Sequence, residues 1–210
     1  MKQPDNLYLF GFSGHAYVVL ESVIQQNIAC NGYFDFQKNT EDHPFLIPYF
    51  GNEEDFDFNL NQPITGFPSV GDNKIRKKII EFLRNKKINE ITIIDPSANI
   101  SASANIGLSS YIGKNTCINA LANIQDGCII NTSSVIEHEC SIGSHTHIAP
   151  NCTLLGNVKV GQNVFIGANS VILPGLTIGE NSIVGAGSVV TKSIGANELW
   201  YGNPAKKQLR

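Results

Sequence analysis

The sequence NIQDGCIINTSSVIEHECSIGSHTHI, residues 123–148, carries an isoleucine at every sixth position. The spacing continues in both directions, and all seventeen positions on it from Ile94 to Val190 are aliphatic. An amphipathic helix, with its period near 3.6, does not produce this pattern, and neither does a half-buried strand, with its period of two. A period of six indicates a repeat architecture in which each unit contributes one short strand.

The hexads predict a parallel β-helix. Three hexads form one triangular coil of 18 residues, and successive coils stack at the strand spacing of about 4.8 Å with the aliphatic residues inside. Cys128, Cys140 and Cys152 are 12 residues apart, whereas residues on the same edge must be 18 apart. We therefore expect the three thiols on different sides of the coil, in packing positions, and no metal site.

The residues before the repeat predict an α/β domain. The apolar run 7–10 is followed by the glycine turn 11–14 and by an amphipathic helix, the order that opens a Rossmann-like unit. A second strand ends near Asp35, about twenty residues beyond the glycines, where such folds place an acidic residue near a nucleotide. The pair Gly11 and Gly14 is a weak signal alone, because an ordinary strand-to-helix turn has the same pattern.

Three further elements complete this domain: a strand at 64–70, a basic amphipathic helix at 74–84 and a strand at 91–94. The predicted fold class is therefore an α/β amino-terminal Rossmann-like domain, residues 1–95, followed by a left-handed parallel β-helix, residues 96–210. Composition supports the division, because 22 of the 33 charged residues lie in the first 95 positions.

Composition also argues against several classes of partner. With 15 basic and 18 acidic residues, the chain has no basic excess to neutralise a nucleic acid backbone. The longest uncharged run, 160–179, contains four glycines and a proline and is too polar for a membrane span. No secretory leader pattern opens the sequence, and five cysteines without framework spacing fit reduced thiols. We expect a cytoplasmic protein.

The residues able to do chemistry are concentrated in the segment 131–150, which contains three of the five histidines. His138 lies at a protruding turn beside Glu139, and Gly156, one coil further on, leaves a bare backbone amide near that imidazole. Ala168 and Ala186 place small residues along a neighbouring edge. A base beside free amides is the arrangement that acyl transfer requires. It outweighs the alternative that His138 is a solvated surface residue.

Four motifs make the sequence resemble a known family: GFSGHA at 11–16, NTSSVIEHECSIG at 131–143, His147 nine residues beyond His138, and GNVKVG at 156–161. It resembles the bacterial nucleotide-sugar acetyltransferases of the sialic-acid O-acetyltransferase-like family, above all those that acetylate UDP-linked 4-amino sugars in bacillosamine synthesis. The resemblance implies transfer of acetyl from acetyl-CoA to the 4-amino group of a nucleotide-linked 4-amino-4,6-dideoxy sugar.

The resemblance also implies roles for individual residues. His138 would be the general base that deprotonates the amine, and Glu139 would orient it. The acetyl-CoA contacts would be His147, Gly156, Ala168 and Ala186. The nucleotide-sugar contacts would be Ser13, Gly14, His15, Asp35, Gly71 and Asn131. The family further implies a homotrimer with each active site between two subunits, and no metal.

Two points stay open at this stage. The family pattern has a second acidic residue where this chain has Phe36. A UDP-linked sugar is favoured by the resemblance, while thymidine and guanosine nucleotides remain alternatives. Lys192, Lys206 and Lys207 are equally well explained as contacts to a CoA phosphate and as ordinary surface lysines.

Several other functions compete with this interpretation. An O-acetyltransferase would use the same histidine base on a hydroxyl group. A γ-type carbonic anhydrase shares the solenoid, but it needs zinc-binding histidines where this chain has Ala102, Ser109 and Tyr111. A nucleotidyltransferase is disfavoured, because it would need a glycine-rich amino-terminal signature with a basic residue, and this sequence lacks that signature. A non-catalytic solenoid that binds a sugar nucleotide would leave the cluster of His138 and Glu139 unexplained.

Overall fold

The computed structural model describes residues 6–40, 43–58 and 63–209. Its first elements are β1 (Leu7–Phe10), α1 (Gly14–Gln25), β2 (Cys30–Phe34), a 3-10 helix (Glu53–Asp55), β3 (Thr65–Pro68), α2 (Asn73–Asn85) and β4 (Asn89–Glu90). These four strands form a parallel sheet in the order β2-β1-β3-β4. The predicted order of strand, glycine turn and helix at the amino-terminal end is confirmed.

Helix α2 begins at a capping residue and buries one face. The Asp72 carboxylate accepts hydrogen bonds from the backbone N–H groups of Lys74 and Ile75, both at 2.9 Å, and so satisfies two donors of the first turn. The buried residues of the helix are Arg76, Ile79, Ile80 and Leu83. The helix therefore carries one charged side chain into the interior.

From residue 93 the chain forms a parallel β-helix with three faces. The first face consists of Ile93–Ile94, Tyr111–Ile112, Ile129–Ile130, His147–Ile148, Phe165–Ile166, Ile183–Val184, Leu199–Gly202 and Ala205–Gln208. The second face consists of Asn99–Ile100, Cys117–Ile118, Val135–Ile136, Thr153–Leu154, Val171–Ile172 and Val189–Val190. The third face consists of Asn105–Ile106, Asn123–Ile124, Ser141–Ile142, Lys159–Val160 and Thr177–Ile178.

The hexad strands pair in parallel with the strands 18 positions away. Ile130, for example, lies opposite Ile112 on one side and Ile148 on the other. All three belong to a single buried cluster of aliphatic and small side chains that fills the prism. The six-residue period therefore predicted both the coil and its core.

One predicted element is wrong. The strand Ile93–Ile94 pairs with Tyr111–Ile112 and is the first strand of the β-helix, whereas the sequence analysis expected residues 91–94 to close the amino-terminal domain. The physical reason is that Ile94 is already in phase with the hexads and packs against the prism core, while Asn89–Glu90 pairs with β3 and completes the amino-terminal sheet. The division of the domains at residue 95 stays a prediction.

Three edges join the faces, and we name each after the face that it follows. The first edge includes the turns 131–134, 149–152, 167–170 and 185–188, the second edge 137–140 and 155–158, and the third edge 125–128, 143–146 and 161–164. Cys152, Cys140 and Cys128 lie on the first, second and third edges, and each is buried and free. Burial raises the pKa of the Cys128 thiol to about 12. The expected packing role is confirmed.

The described part of the chain contains neither a metal-binding cluster nor a membrane-spanning helix. No three histidine, cysteine, aspartate or glutamate side chains in ranges 6–40, 43–58 and 63–209 are grouped so that they could hold a metal ion. Neither α1 nor any other described helix has the length and apolar character needed to cross a membrane.

The amino-terminal domain is fixed to the first face by a shared core. Val19 of α1 clusters with Tyr111 and Ile129, which are buried although their strands belong to the solenoid. Within that core the Ser22 hydroxyl donates to the Asp95 carboxylate at 2.6 Å and lies 2.9 Å from the Tyr111 hydroxyl. The amino-terminal domain and the β-helix are therefore packed as one unit.

Candidate active site

His138 and Glu139 project from the second edge. The imidazole Nδ1 of His138 lies 3.0 Å from Glu139 Oε2, and both side chains are more than half exposed. Because a carboxylate accepts hydrogen bonds, this contact assigns the proton to Nδ1 and leaves a free lone pair on Nε2. Glu139 therefore sets the tautomer in which His138 can act as a base.

Gly156 lies against this free nitrogen, one coil further along the second edge. A β-carbon at Gly156 would stand 2.6 Å from both Nε2 and Cε1 of His138, so only glycine leaves room for the ring in this position. The Gly156 backbone N–H donates to no other described residue. An imidazole with a free nitrogen and an unpaired backbone amide are thus neighbours on the second edge. That geometry can accept a proton and stabilise an oxyanion.

His147, Asn131 and Gly71 form a second cluster, where the first face meets the amino-terminal domain. Gly71 O lies 3.3 Å from His147 Nδ1, and Asn131 Nδ2 lies 3.2 Å from His147 Nε2. Because a carbonyl oxygen only accepts, Nδ1 carries the proton and Nε2 accepts from the Asn131 amide. Burial, followed by the charge of Arg76, lowers the pKa of His147 to about 4. His147 is thus a neutral imidazole held in place from both sides.

The turn before α1 offers unused polar groups. Ser13 is the N-cap residue of α1, but its side chain makes no capping hydrogen bond. A β-carbon built on Gly14 would meet nothing within 4 Å, so the N–H groups at this helix start are accessible to an anion. The next residue, His15, points into the interior. Its Nε2 is buried and has no hydrogen-bond partner among the described residues. Burial, then His147 and Arg76, lower the pKa of His15 to about 3.

A cavity of about 660 Å³ opens beside this turn. Its walls come from the glycine turn, the residues after β2, the 3-10 helix and α2. Asp35 lines the cavity, as its predicted role requires, but its Oδ2 accepts the Phe12 backbone N–H at 2.6 Å. One oxygen of the carboxylate therefore holds the glycine turn in shape, and the other is available to a ligand.

Ala168 and Ala186 lie one above the other on the first edge. The Gly187 N–H donates to Ala168 O at 2.8 Å, and a β-carbon at Gly167 would stand 2.5 Å from the Ala186 backbone nitrogen. The backbones of adjacent coils approach closely here, and the column carries no side chain larger than a methyl group. The predicted column of small residues is present.

Within one chain the predicted site residues fall into two groups. The second-edge group is His138, Glu139 and Gly156. The other group lies on the first face, the first edge and the amino-terminal domain, and comprises Ser13, Gly14, His15, Asp35, Gly71, Asn131, His147, Ala168 and Ala186. No hydrogen bond or ion pair between described residues joins the two groups. One copy of the chain does not bring the whole set together.

Sequence reasoning missed Arg76, whose buried guanidinium lies beneath the second cluster. All five of its N–H groups donate, at 2.7 to 3.2 Å, to Gly127 O, Val70 O, Gly71 O, Asn73 Oδ1 and His145 O. The signal was its spacing, since Arg76 precedes Ile80 by four positions and Leu83 by seven on the buried face of α2. Glu53, which lines the cavity, was also missed and has no comparable signal in the sequence.

The three lysines considered for a CoA phosphate differ in their surroundings. Lys207 forms an ion pair with Glu198 at 2.5 Å. Lys192 and Lys206 are exposed and have no ion pair among the described residues. Their proposed contact with CoA stays a prediction.

Two family models match the chain. The PglD N-terminal domain matches residues 6–83, and the bacterial transferase hexapeptide repeat matches residues 121–156 and 157–192. The solved structure of PerB from Caulobacter crescentus, in complex with CoA and GDP-perosamine, is 32% identical over 98% of both chains, with a TM-score of 0.90. The chain belongs to the nucleotide-sugar acetyltransferase family.

Two further solved structures extend the comparison within this acetyltransferase fold. The acetyltransferase domain of PglB from Neisseria gonorrhoeae, in complex with acetyl coenzyme A, is 28% identical over 97% of this chain and 98% of that chain, with a TM-score of 0.90. WeeI from Acinetobacter baumannii is 24% identical over 97% of this chain and 99% of that chain, with a TM-score of 0.88, and shares the fold. The family resemblance seen in the sequence is confirmed, and the chain is an acetyltransferase.

Proposed function

We propose that the chain transfers the acetyl group of acetyl-CoA to the 4-amino group of a nucleotide-linked 4-amino-4,6-dideoxy sugar. The observation that carries this proposal is the close approach of His138 Nε2 to Gly156 on the second edge. The relatives support the choice of substrates, since PerB holds CoA and GDP-perosamine and the PglB domain holds acetyl-CoA. We place the reaction in the cytoplasm, where both substrates are made and free cysteines stay reduced.

His138 acts as the general base. Its Nε2 takes a proton from the sugar amine as the amine nitrogen attacks the thioester carbon. A C–N bond forms, and the carbonyl oxygen becomes an oxyanion that the Gly156 N–H stabilises. When the C–S bond breaks, the imidazolium returns its proton to the thiolate, and CoA leaves as the thiol. Glu139, hydrogen-bonded at Nδ1, stabilises the imidazolium between these steps.

Asn131 orients the reacting sugar. Its Oδ1 accepts the Thr132 N–H at 2.8 Å, and one N–H of its amide donates to His147 Nε2. Because both ends of the amide are fixed, its second N–H points in a defined direction and is free for a substrate oxygen. His147 holds this amide beside the acetyl group, and the column of Ala168 and Ala186 leaves room for the pantetheine arm.

The amino-terminal domain holds the nucleotide diphosphate. The start of α1, with Ser13 and Gly14, supplies N–H groups and the positive end of a helix dipole to the phosphates. The free Oδ1 of Asp35 takes a ribose hydroxyl, as acidic residues at the end of the second strand do in related folds. His15 and Gly71 line the route from the diphosphate to the sugar.

We propose a homotrimer in which each active site lies between two subunits. The two groups of site residues lie on different edges of one prism, so the second edge of one subunit completes the group of its neighbour. The second face supports this arrangement, because four of its six outward side chains are apolar and only partly covered, namely Cys117, Val135, Val171 and Val189, beside Asn99 and Thr153. Packing of three such faces around an axis would cover them.

A CoA-release assay tests the reaction. The substrates are 4-amino sugars linked to UDP, dTDP and GDP, each measured beside its 4-hydroxyl analogue. We expect release of CoA thiol with an amine and none with the matching hydroxyl sugar. Release with a hydroxyl sugar alone would instead make the chain an O-acetyltransferase. If none of the six nucleotide sugars supported release of CoA, the chain would be a solenoid that binds sugar nucleotides without catalysis.

Mixed trimers test the shared site. His138→Ala and Asn131→Ala lie in different groups, so each variant alone should be nearly inactive. When the two are co-expressed, some interfaces combine an intact His138 from one subunit with an intact Asn131 from the next, and activity should return. A mixture that stays as inactive as its parents would show that one subunit supplies both residues.

A further inference from the structure

The cavity wall beyond Asp35 is acidic. Gly51 O accepts the Asp35 backbone N–H at 3.1 Å, which places the segment 51–54 alongside the end of β2. Glu53 and Glu54 line the cavity from this segment. In folds of this kind the diphosphate lies at the first turn and the ribose at the end of the second strand. The base of a bound nucleotide therefore reaches the segment that carries Glu53.

Apolar side chains flank the same space. Phe36, from the segment after β2, lines the cavity and is 83% exposed. Ile75 and Phe82 line it from α2, and Ile75 is half exposed. Uncovered apolar groups around a cavity of this size are typical of a site for an aromatic ring. A planar base between these side chains would direct its hydrogen-bonding edge to the polar part of the wall.

Among the described residues, no cation forms an ion pair with Glu53. Its pKa is raised above the ordinary value, mainly by burial and further by the charges of Asp35 and Glu54, while a hydrogen bond from its own backbone N–H acts in the opposite direction. Lys38 and Lys78 also line the cavity, but among the described residues neither forms an ion pair with Glu53. A carboxylate in this place repels a diphosphate. It favours a nucleotide that supplies hydrogen-bond donors to it, and the part of the nucleotide that reaches this segment is the base, whose donors are N–H groups.

Guanine matches such a carboxylate better than the other common bases. Its N1–H and its 2-amino group are adjacent donors, which one carboxylate can accept together. Uracil and thymine have a single N–H between two carbonyl oxygens, and those oxygens would be repelled by the carboxylate. Cytosine and adenine place their amino group beside a ring nitrogen that only accepts.

We infer that Glu53 recognises the hydrogen-bonding edge of guanine, so that the nucleotide sugar is a guanosine diphosphate sugar. The inference rests on the proposed function, and it replaces the uridine nucleotide that the sequence favoured. Glu53 is thereby a specificity-determining residue of the amino-terminal domain, whereas the residues proposed for acetyl transfer lie on the second edge.

Calorimetric titration of the whole chain with GDP, IDP, UDP and dTDP tests the inference. IDP is the decisive probe, because it differs from GDP only in lacking the 2-amino group. We expect GDP to bind roughly tenfold to a hundredfold more tightly than each of the other three, the usual effect of hydrogen bonds to a charged group. Equal binding of GDP and IDP, or tighter binding of UDP or dTDP, would overturn the inference.

Glu53→Ala removes the carboxylate that we propose recognises guanine. Asn52 caps the 3-10 helix by accepting the Glu54 N–H at 3.0 Å, so this cap remains in the variant, which loses only the hydrogen bond between the Glu53 carboxylate and its own backbone N–H. In this variant GDP should bind no more tightly than IDP. Asp55→Ala, on the same helix but outside the cavity lining, should leave all four affinities unchanged. A Glu53→Ala chain that still prefers GDP to IDP would contradict the role of Glu53.

The inference and the proposed function can fail separately. Tighter binding of UDP, together with CoA release from a UDP-linked amino sugar, would keep acetyl transfer and reject the guanine site. Selective binding of GDP without CoA release from any amino sugar would keep the guanine site and reject acetyl transfer.

Discussion

The imidazole Nε2 of His138 occupies the space that a β-carbon on Gly156 would need, at a separation of 2.6 Å. His138 and Gly156 are therefore 18 positions apart in the sequence and neighbours in the fold. The coil length alone creates this neighbourhood, because residues one coil apart lie on the same edge.

Gly156→Ala should displace the imidazole rather than the backbone, because the ring is the end of an exposed side chain. We expect kcat to fall roughly tenfold to a hundredfold through misplacement of the base, with little change in the melting temperature. Steady-state kinetics measure the decrease in kcat. In a His138→Ala background the same substitution should cause no further loss, since the ring is absent. Equal losses in both backgrounds would show that the effect bypasses His138.

His138→Ala should lower kcat by roughly two to four orders of magnitude, the range for loss of a general base. The side chain is exposed on an edge, so the melting temperature and the oligomeric state should not change. Glu139→Gln is the matched variant. Its amide oxygen still accepts from Nδ1–H, and it should lose less activity than His138→Ala. Near-normal turnover by the alanine variant would remove His138 from the mechanism.

Asp35→Ala should raise the KM for the sugar nucleotide roughly tenfold to a hundredfold, because a hydrogen bond to a charged group is lost at the glycine turn and another at the ligand. The KM for acetyl-CoA should stay nearly constant. Asp35→Asn keeps an oxygen for the Phe12 N–H and should have the smaller effect. If both substitutions raised the two KM values equally, Asp35 would support the fold in general and not the nucleotide.

Two buried neutral histidines should make stability decrease in acid. The folded-state pKa is about 3 for His15 and about 4 for His147, against an ordinary value of 6.5. Between pH 6.5 and 4 the unfolded chain binds protons that the folded chain does not. The free energy of unfolding therefore decreases as the pH is lowered through this window. Above it, these groups contribute no pH dependence.

Each of these histidines should contribute up to about 1.4 kcal/mol per pH unit to that slope. Urea denaturation of the parent chain and of His147→Gln, at several pH values across the window, measures the contribution. The variant should have a slope smaller by about one proton. An identical slope in the two proteins would mean that His147 is not held neutral in the folded chain.

Val171→Glu places a charge on the apolar outward side of the second face. We expect this chain to lose the proposed trimer and, with it, the acetyltransferase activity, although every proposed site residue is intact. Light scattering together with the CoA-release assay measures both. Thr177→Glu, on the exposed outward side of the third face, should change neither. A monomeric Val171→Glu chain with full activity would contradict an active site shared between subunits.

The solenoid was predictable because its pattern repeats. Each inward side chain, such as Ile130, packs against the equivalent side chains of the coils on either side. Every hexad therefore has nearly the same environment. The strand Ile93–Ile94 was misassigned because a short apolar run at a domain junction can be either the last strand of the first domain or the first strand of the second. Only the hexad phase of Ile94 distinguishes them.

The buried charges were not predictable in this way. Arg76 stands among lysines in the sequence, yet its guanidinium is satisfied by the carbonyl groups of Gly127 and His145, which lie 51 and 69 positions later. Those acceptors are free only because the turns of the third edge leave them unpaired. Asp35 lines the cavity beside the glycine turn, and its role toward a nucleotide stays a prediction; its bond to the Phe12 N–H depends on how the glycine turn closes.

The coil of 18 residues also limits how such proteins can be recombined. Deleting one hexad between His138 and Gly156 would rotate everything downstream by a third of a turn and carry the glycine to another edge. Deleting or adding a whole coil beyond Gly156 would only translate the rest along the axis by about 4.8 Å, with every side chain facing as before. Chimeras within the family should therefore remain active when they are joined in whole coils, and lose activity when they are joined by single hexads.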